Sequence, residues 1–418
     1  MQQESGSRLL AAGRVVGALR SPRYRRYWLG NLAAVSGQQM MWVAQGWLIY
    51  RLTDSPLYLG YAGLATAAPA IVLNLLGGVL ADRLDQRRVI FATQLVTAAS
   101  VAGLATLTAL DLVQPWHVLA VGFASGATQA FGNPARQSLF PQLIEREQLM
   151  NAVALNSMVW QSTRIVAPAA GGVLVGTVGE AATFYLAAAS FSLLGFIVIG
   201  LRVEREVRGR RETMLRDLAV GLGFIREHFL FAFLIGMSFI NSFFGNASQQ
   251  LMPVFARDIL DAGPSGMGLL MSAGGFGAIL GLGVTAALTD YDRKGYLLVG
   301  GASAYGAFLV LFALSTSYPL SLFASFFMGA FGSVYMITVQ TALQLRVPDE
   351  LRGRVMGVFG MTYNMGPLGG LQAGAVADAF SAPAAVALSG LAIIAFASSA
   401  TLRSEVRRLE AASAPALR

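Results

Sequence analysis

The sequence predicts an all-α integral membrane protein: twelve transmembrane helices forming two pseudo-symmetric six-helix bundles. Three observations carry that prediction. There are twelve apolar runs of membrane-crossing length, the arginines alternate between their connections, and the two halves of the chain echo each other. Composition agrees. Of 418 residues, 55% are hydrophobic and only 12% charged, whereas a soluble domain carries about 25% charged residues.

An apolar run of about 20 residues crosses the hydrocarbon core as a helix, because lipid offers no partner for an unpaired backbone. Spans 1 to 12 are expected at 27–50, 57–81, 89–110, 116–135, 152–178, 181–201, 229–252, 265–289, 296–316, 319–343, 355–377 and 382–402. An even number of spans puts both chain ends on one side. Of the 30 Lys and Arg residues, 27 then fall on that side; Arg51 and Arg257 lie in opposite loops and Arg164 lies inside span 5. By the positive-inside rule the arginine-rich face is cytoplasmic. The expected location is the cell (plasma or inner) membrane, with both termini cytoplasmic.

The expected divisions are a cytoplasmic N-terminal tail (1–26), a first bundle (27–201), a cytoplasmic linker (202–228), a second bundle (229–402) and a cytoplasmic tail (403–418). The first 26 residues hold six arginines and no apolar core, so no cleavable signal peptide is expected. In the linker, Leu215, Leu218, Leu222 and Ile225 recur at helical spacing, opposite Arg216, Asp217 and Arg226. That pattern predicts an amphipathic helix on the inner surface.

Composition also excludes several functions. Cysteine is absent, and the two histidines, His117 and His228, are far apart, so no disulfide or metal centre is expected. The single lysine, Lys294, is followed by Gly295, and a phosphate-binding loop requires Lys followed by Ser or Thr. No cofactor, metal or catalytic residue is expected, and the chain does not read as an enzyme. The net charge of +8 reflects the cytoplasmic arginines, so no nucleic-acid partner is expected. The expected partners are a small-molecule substrate and membrane lipid, and the expected state is a monomer.

The halves repeat. "RQSLFPQLIEREQLM" follows span 4 and "LQLRVPDELRGRVM" follows span 10, with Gln137 and Pro141 aligned on Gln344 and Pro348. Asp82 with its arginines follows span 2, and Asp290, Arg293 and Lys294 follow span 8. Two related six-helix halves imply a binding site near the bilayer midplane, reached alternately from either side.

Polar residues in the spans are the candidates for that site. Gln38, Trp42 and Gln45 share one helical face of span 1. Ser125, Gln129 and Asn133 form a similar stripe in span 4, and Asn241 and Asn246 in span 7 and Tyr335 and Thr338 in span 10 add polar groups. Uncharged amides with aromatic faces suit a large, mostly apolar ligand; amides that tie helices together are the alternative. Arg164, the one formal charge deep in a span, is costly there. It is either a contact for an anionic part of the substrate or a structural tie. Asp54, Asp111, Glu180, Asp258, Asp261 and Asp378 all fall near the outer face, so none offers a midplane proton carrier.

Five motifs in order, "WLIYRLTDSPLYLG" (47–60), "GGVLADRLDQRR" (77–88), "RIVAPAAGG" in span 5, "LMPVFARDIL" after span 7 and "VPDELRGRVMG" after span 10, resemble the major facilitator superfamily. Within it they resemble the branch containing the enterobactin exporter and macrolide efflux proteins. The resemblance covers nearly the whole chain. It implies the fold of that superfamily and a secondary transporter, most often an exporter of drugs, siderophores or other amphipathic molecules, with proton antiport as the usual coupling. A lipid or lysolipid transporter on the same fold is the alternative reading, and a non-transporting membrane sensor a third. The resemblance also implies that spans 1, 4, 7 and 10 line the cavity. Asp82 would cap span 11 as a cytoplasmic latch, assisted by Gly78, Arg83 and Arg87. Two departures weaken the match: Gln86 stands where the superfamily usually has arginine, leaving Arg87 to substitute, and Ala167 replaces the usual glycine before Pro168. Pro168 and Pro367 are expected to shape spans 5 and 11.

Overall fold

The computed structural model describes residues 16–201, 214–288 and 294–399. Among them every expected span is helical and no β-strand occurs. Eight helical stretches are apolar and long enough to cross a membrane by length and composition. One of them, Arg146–Ile199, holds spans 5 and 6 together. They are separated only at Gly179, whose φ of 87° no side chain adopts comfortably. Spans 1 (Pro22–Thr53) and 4 (Pro115–Leu139) are continuous helices diluted by amides and arginines. Span 11 is broken into Asp349–Thr362 and Gly366–Ala379 by a 3₁₀ turn at Tyr363–Met365. Pro367, which lacks an N–H, sits just after that break.

Contacts divide the chain into two units, Met1–Leu52 with Ala65–Gly209 and Thr53–Leu64 with Arg210–Arg418. The N-terminal end of span 2 therefore groups with the second unit, whereas the expected boundary at 202–228 leaves it in the first half.

In the first unit, span 1 is buried along most of its length. A row of polar contacts fixes it to span 5: the Tyr24 hydroxyl donates to the Ala152 carbonyl (3.0 Å), Trp28 Nε1 to the Leu155 carbonyl (3.2 Å) and Asn31 Nδ2 to Asn156 Oδ1 (3.1 Å). Interhelical hydrogen bonds of this kind contribute about 0.6–2 kcal/mol each in a membrane. Span 4 packs on span 2 (Pro56–Arg83) at Gly126, where a Cβ would run into the Thr66 carbonyl and the Pro69 ring. Spans 3 (Gln86–Ala109), 5 and 6 complete the unit. Arg51 pairs with Glu180 across 2.9 Å.

The second unit repeats the close approach. Gly329 on span 10 (Tyr318–Arg346) faces the backbone of Gly274 on span 8 (Gly263–Ala287), and Gly277 faces that of Phe326. Small residues permit this where no hydrophobic force drives association. Thr53–Leu64 is held there by several ties. Asp54 pairs with Arg257 (2.6 Å), the Ser55 hydroxyl donates to Asp378 (2.6 Å), Gln250 Nε2 donates to the Leu59 carbonyl, and Gly60 lies against Leu371. Asp54, Asp111 and Asp261 all have positive φ (50°, 55° and 46°). They occupy turns between spans, where aspartate tolerates the left-handed conformation.

The linker helix runs Met214–Glu227. Its buried side carries Gly221, against the Arg354 carbonyl of span 11, and Ile225. Leu222 is exposed, because it lies one residue round from Gly221 and so off the docked face. Leu215, Arg216, Asp217 and Leu218 lie outside the described side chains.

Candidate functional site

In span 1, Gln38 and Gln45 are tucked in at 7% and 9% exposure, and Trp42 between them stands out at 42%. The shared face thus presents one open indole flanked by two shielded amides. Gln45 Nε2 is buried without a hydrogen-bond partner.

Gln38 and Gln129 come together. They line a small polar cavity of about 20 Å³ inside the first unit, along with Thr93, Gln94 and Thr97 of span 3 and Ser125, Thr128 and Arg136 of span 4. Met41 and Phe191 supply its apolar wall. Asn133 turns away and accepts a hydrogen bond from Arg136 (3.1 Å). Gln94 and Arg136 were not singled out by the sequence. The signal for Arg136 was available, since it falls seven residues after Gln129 and so on the same face.

Arg164 is exposed in mid-helix, with exposed Met158 and Trp160 on the turn before it. Among the described residues no carboxylate lies within 4.0 Å of it. Pro168 is buried within the same helix.

In span 7 the helix is not uniform. Phe229–Ile240 is α-helical, Asn241–Gly245 is a π-turn, and a second π-turn spans Phe255–Ile259. Such turns insert an extra residue and re-aim the side chains that follow. Asn241 opens the first of them and contacts Met336 Sδ at 4.0 Å. Asn246 is exposed and reaches back to the Ser242 carbonyl (3.4 Å). Tyr335 is fully buried and its hydroxyl has no partner. Its ring packs beside Tyr305, whose hydroxyl donates to the Gly245 carbonyl at the end of the π-turn (2.8 Å).

Of the gating residues, Gly78, Asp82 and Arg83 sit in the last turns of span 2, and their side chains lie outside the described residues. Arg87 is held within the first unit. It forms a two-pronged pair with Asp85 (Nε–Oδ1 3.2 Å, Nη2–Oδ2 2.8 Å) and donates to the Leu201 carbonyl (2.6 Å). Asp85 also caps span 3 by accepting from the Arg87 backbone N–H (3.0 Å). The charged burst after span 2 therefore contains a local clasp from the start of span 3 to the end of span 6. The hydrogen bonds from Arg87 hold the Asp85 carboxyl below the usual carboxylate range. Pro367, half-buried, opens the C-terminal segment of span 11.

The fold matches solved transporters. A nucleoside transporter, NupG, aligns with a TM-score of 0.73 at 14% identity, over 90% of this chain and 98% of that one. A bacterial homologue of the human lysosomal transporter Spinster aligns with a TM-score of 0.69 at 14% identity, over 93% and 96%. Likeness in sequence is higher elsewhere. The multidrug efflux pump Tap of Mycolicibacterium fortuitum is 26% identical over 399 residues, covering 92% of this chain and 96% of Tap. The enterobactin exporter EntS of Escherichia coli is 26% identical over 342 residues, covering 81% of each chain. The transmembrane secretion effector family model matches residues 15–418. The chain therefore belongs to that family of multi-pass membrane transporters, a branch of the major facilitator superfamily.

Proposed function

We propose that this protein is a secondary active exporter of small amphipathic organic molecules, of drug or siderophore class, working by alternating access with proton exchange as its coupling. The observation that carries the reading is the end-to-end likeness to a multidrug efflux pump. A set of mostly uncharged polar side chains in apolar spans supports it. In this reading Gln38, Trp42, Gln45, Gln129, Arg164, Asn241 and Tyr335 contact the substrate. Trp42 supplies an aromatic face, the amides supply few and uncharged hydrogen bonds, and Arg164 meets an anionic group. Tyr335, buried in the present conformation, becomes accessible only in another. Gly78, Asp82, Arg83, Arg87, Pro168 and Pro367 govern the change between conformations. The protein is a monomer in the cell membrane with both termini in the cytoplasm, as the positive-inside rule favours.

The test is uptake of amphipathic dyes and antibiotics into everted membrane vesicles. Energised vesicles containing the protein should accumulate a probe several-fold over empty-vector vesicles, and dissipating the pH gradient should abolish the difference. Accumulation of lysolipid but of no drug-like probe would replace this reading by lipid transport.

A further inference from the structure

The cavity inside the first unit has features that a substrate pathway does not require. Two of its polar side chains are more than nine-tenths buried and leave an atom without a partner: Ser125 Oγ and Gln94 Oε1, on residues 2% and 6% exposed. Burying such atoms unpaired costs about 1–3 kcal/mol each, so the fold has reason to place something against them. The same cavity is lined by Arg136. Among the described residues no carboxylate lies within 4.0 Å of that guanidinium, and its recorded hydrogen bond goes to the neutral Asn133 side chain. None of the ten lining residues is acidic.

The hydroxyls divide by role. Thr93 donates to the Val89 and Ile90 carbonyls, and Thr128 donates to the Ser125 carbonyl, while Thr97 is engaged with the Thr93 carbonyl and the Thr128 hydroxyl. Their protons are thus spent on the helices. Ser125 keeps its proton free, and a half-turn of the Gln94 amide presents its NH₂ where Oε1 now stands. With Gln38 and Gln129, the cavity can present one hydroxyl, three amide groups and a guanidinium to a single particle.

We propose that this cavity is a binding site for a small monovalent anion of chloride size, held by Arg136, Ser125 and the amides of Gln38, Gln94 and Gln129. A cation finds no carboxylate there and is repelled by Arg136. A cavity of about 20 Å³ has room for one small particle or little more, which favours a compact ion. An anion supplies the counter-charge that Arg136 lacks and accepts from the Ser125 hydroxyl and from the Gln94 NH₂ once that amide has turned. The site shares Gln38 and Gln129 with the proposed substrate contacts, but its test reads halide binding rather than transport, so the two readings fail separately.

The experiment is thermal unfolding of the purified full-length protein in detergent, with chloride or bromide titrated against gluconate at constant ionic strength. Chloride and bromide should raise the melting temperature saturably by about 2 °C or more, and exchanging sodium for potassium should change nothing. Arg136→Gln should abolish the rise. Ser125→Ala, which removes a hydroxyl that bonds to nothing in the protein, should fold normally and raise the half-saturating chloride about tenfold. Crystals grown in bromide should show an anomalous peak in the cavity. No halide-specific rise in the wild type, an unchanged half-saturation in Ser125→Ala, or an ordered water alone in the bromide crystals would each overturn the assignment.

Discussion

Replacing Gly126 by alanine tests how closely the first unit is packed. The added Cβ would meet the Thr66 carbonyl carbon at 2.8 Å and Pro69 Cγ at 3.0 Å, with the Thr66 oxygen nearer still. Ordinary contact begins at 3.4 Å, so span 4 must draw back from span 2 by more than half an ångström. Backbone and a proline ring cannot swing aside as a flexible side chain would. Overpacking costs about 1–3 kcal/mol in a well-packed interior, and this site belongs in the upper part of that range. The expected loss is about 4–8 °C in melting temperature. Gly103, in the middle of span 3, is the control. A Cβ there meets nothing within 4 Å, and alanine is the better helix former by about 1 kcal/mol. Gly103→Ala should therefore melt at or above the wild type. Gly126 also sits between Ser125 and Gln129, so its substitution should lower transport as well as stability. The measurement is thermal unfolding in detergent for both variants side by side. A Gly126→Ala protein melting with the wild type, or a Gly103→Ala protein falling as far, would refute the packing argument.

Other substitutions probe separate features. Trp42→Ala removes the one large exposed side chain in the middle of span 1 and should weaken binding of an amphipathic substrate about tenfold, the value of one good aromatic contact; ligand titration by fluorescence checks it. Gly179→Ala forces a side chain onto a φ of 87° and should cost about 1–2 kcal/mol, read as a lower melting temperature. Asp85 gives a pH dependence. Its carboxyl is depressed by Arg87, so its stabilisation is present above the ordinary carboxylate value and fades as pH falls below it. The melting gap between wild type and Asp85→Asn should be under about 1 kcal/mol near neutrality, as for partly exposed pairs, and should close below about pH 4. Arg257→Ala breaks a pair whose side chains are 39% and 69% exposed and should also cost less than about 1 kcal/mol.

The spans were legible because lipid leaves an apolar run of sufficient length no conformation but helix. Their interruptions were not. The π-turns of span 7 fall on NSFFG and FARDI, and neither stretch holds a proline to announce an interruption. Gly366–Pro367 did announce a disturbance in span 11, but not that the break begins at Tyr363. The polar residues show the same limit. Periodicity put Gln38, Trp42 and Gln45 on one face, yet packing left only the indole open. An amide in a membrane helix is equally at home facing water or bonding to a neighbour, and spacing does not distinguish the two. Gln250 is the clearest case: it reads as one more polar group near the end of span 7, and it donates to the backbone of span 2. Resemblance links Arg87 to the latch at Asp82, whose side chain lies outside the described residues; among the described residues Arg87 bonds to Asp85, three positions on from Asp82, and to the Leu201 carbonyl.

The sequence repeat pairs span 4, which lines the polar cavity of the first unit, with span 10 of the second. Aligned on Gln137 with Gln344 and Pro141 with Pro348, spans 4 and 10 share their architecture. Each presses a glycine onto the backbone of the span two places earlier, Gly126 onto Thr66 and Gly329 onto Gly274, about one helical turn apart in the alignment, since Gly126 matches Ser333 and Gly329 matches Gly122. Their contents differ at the matching positions. Ser125, Thr128, Gln129 and Arg136 correspond to Gly332, Tyr335, Met336 and Leu343. Leu343 is fully buried, and the Tyr335 ring fills the interior beside Tyr305. The cavity-lining Ser125, Gln129 and Arg136 are thus matched in span 10 by glycine, methionine and leucine. Close packing alone requires only the glycines. At these four matched positions span 4 carries four donors and span 10 one, Tyr335, so the shared fold does not require the donors of the cavity.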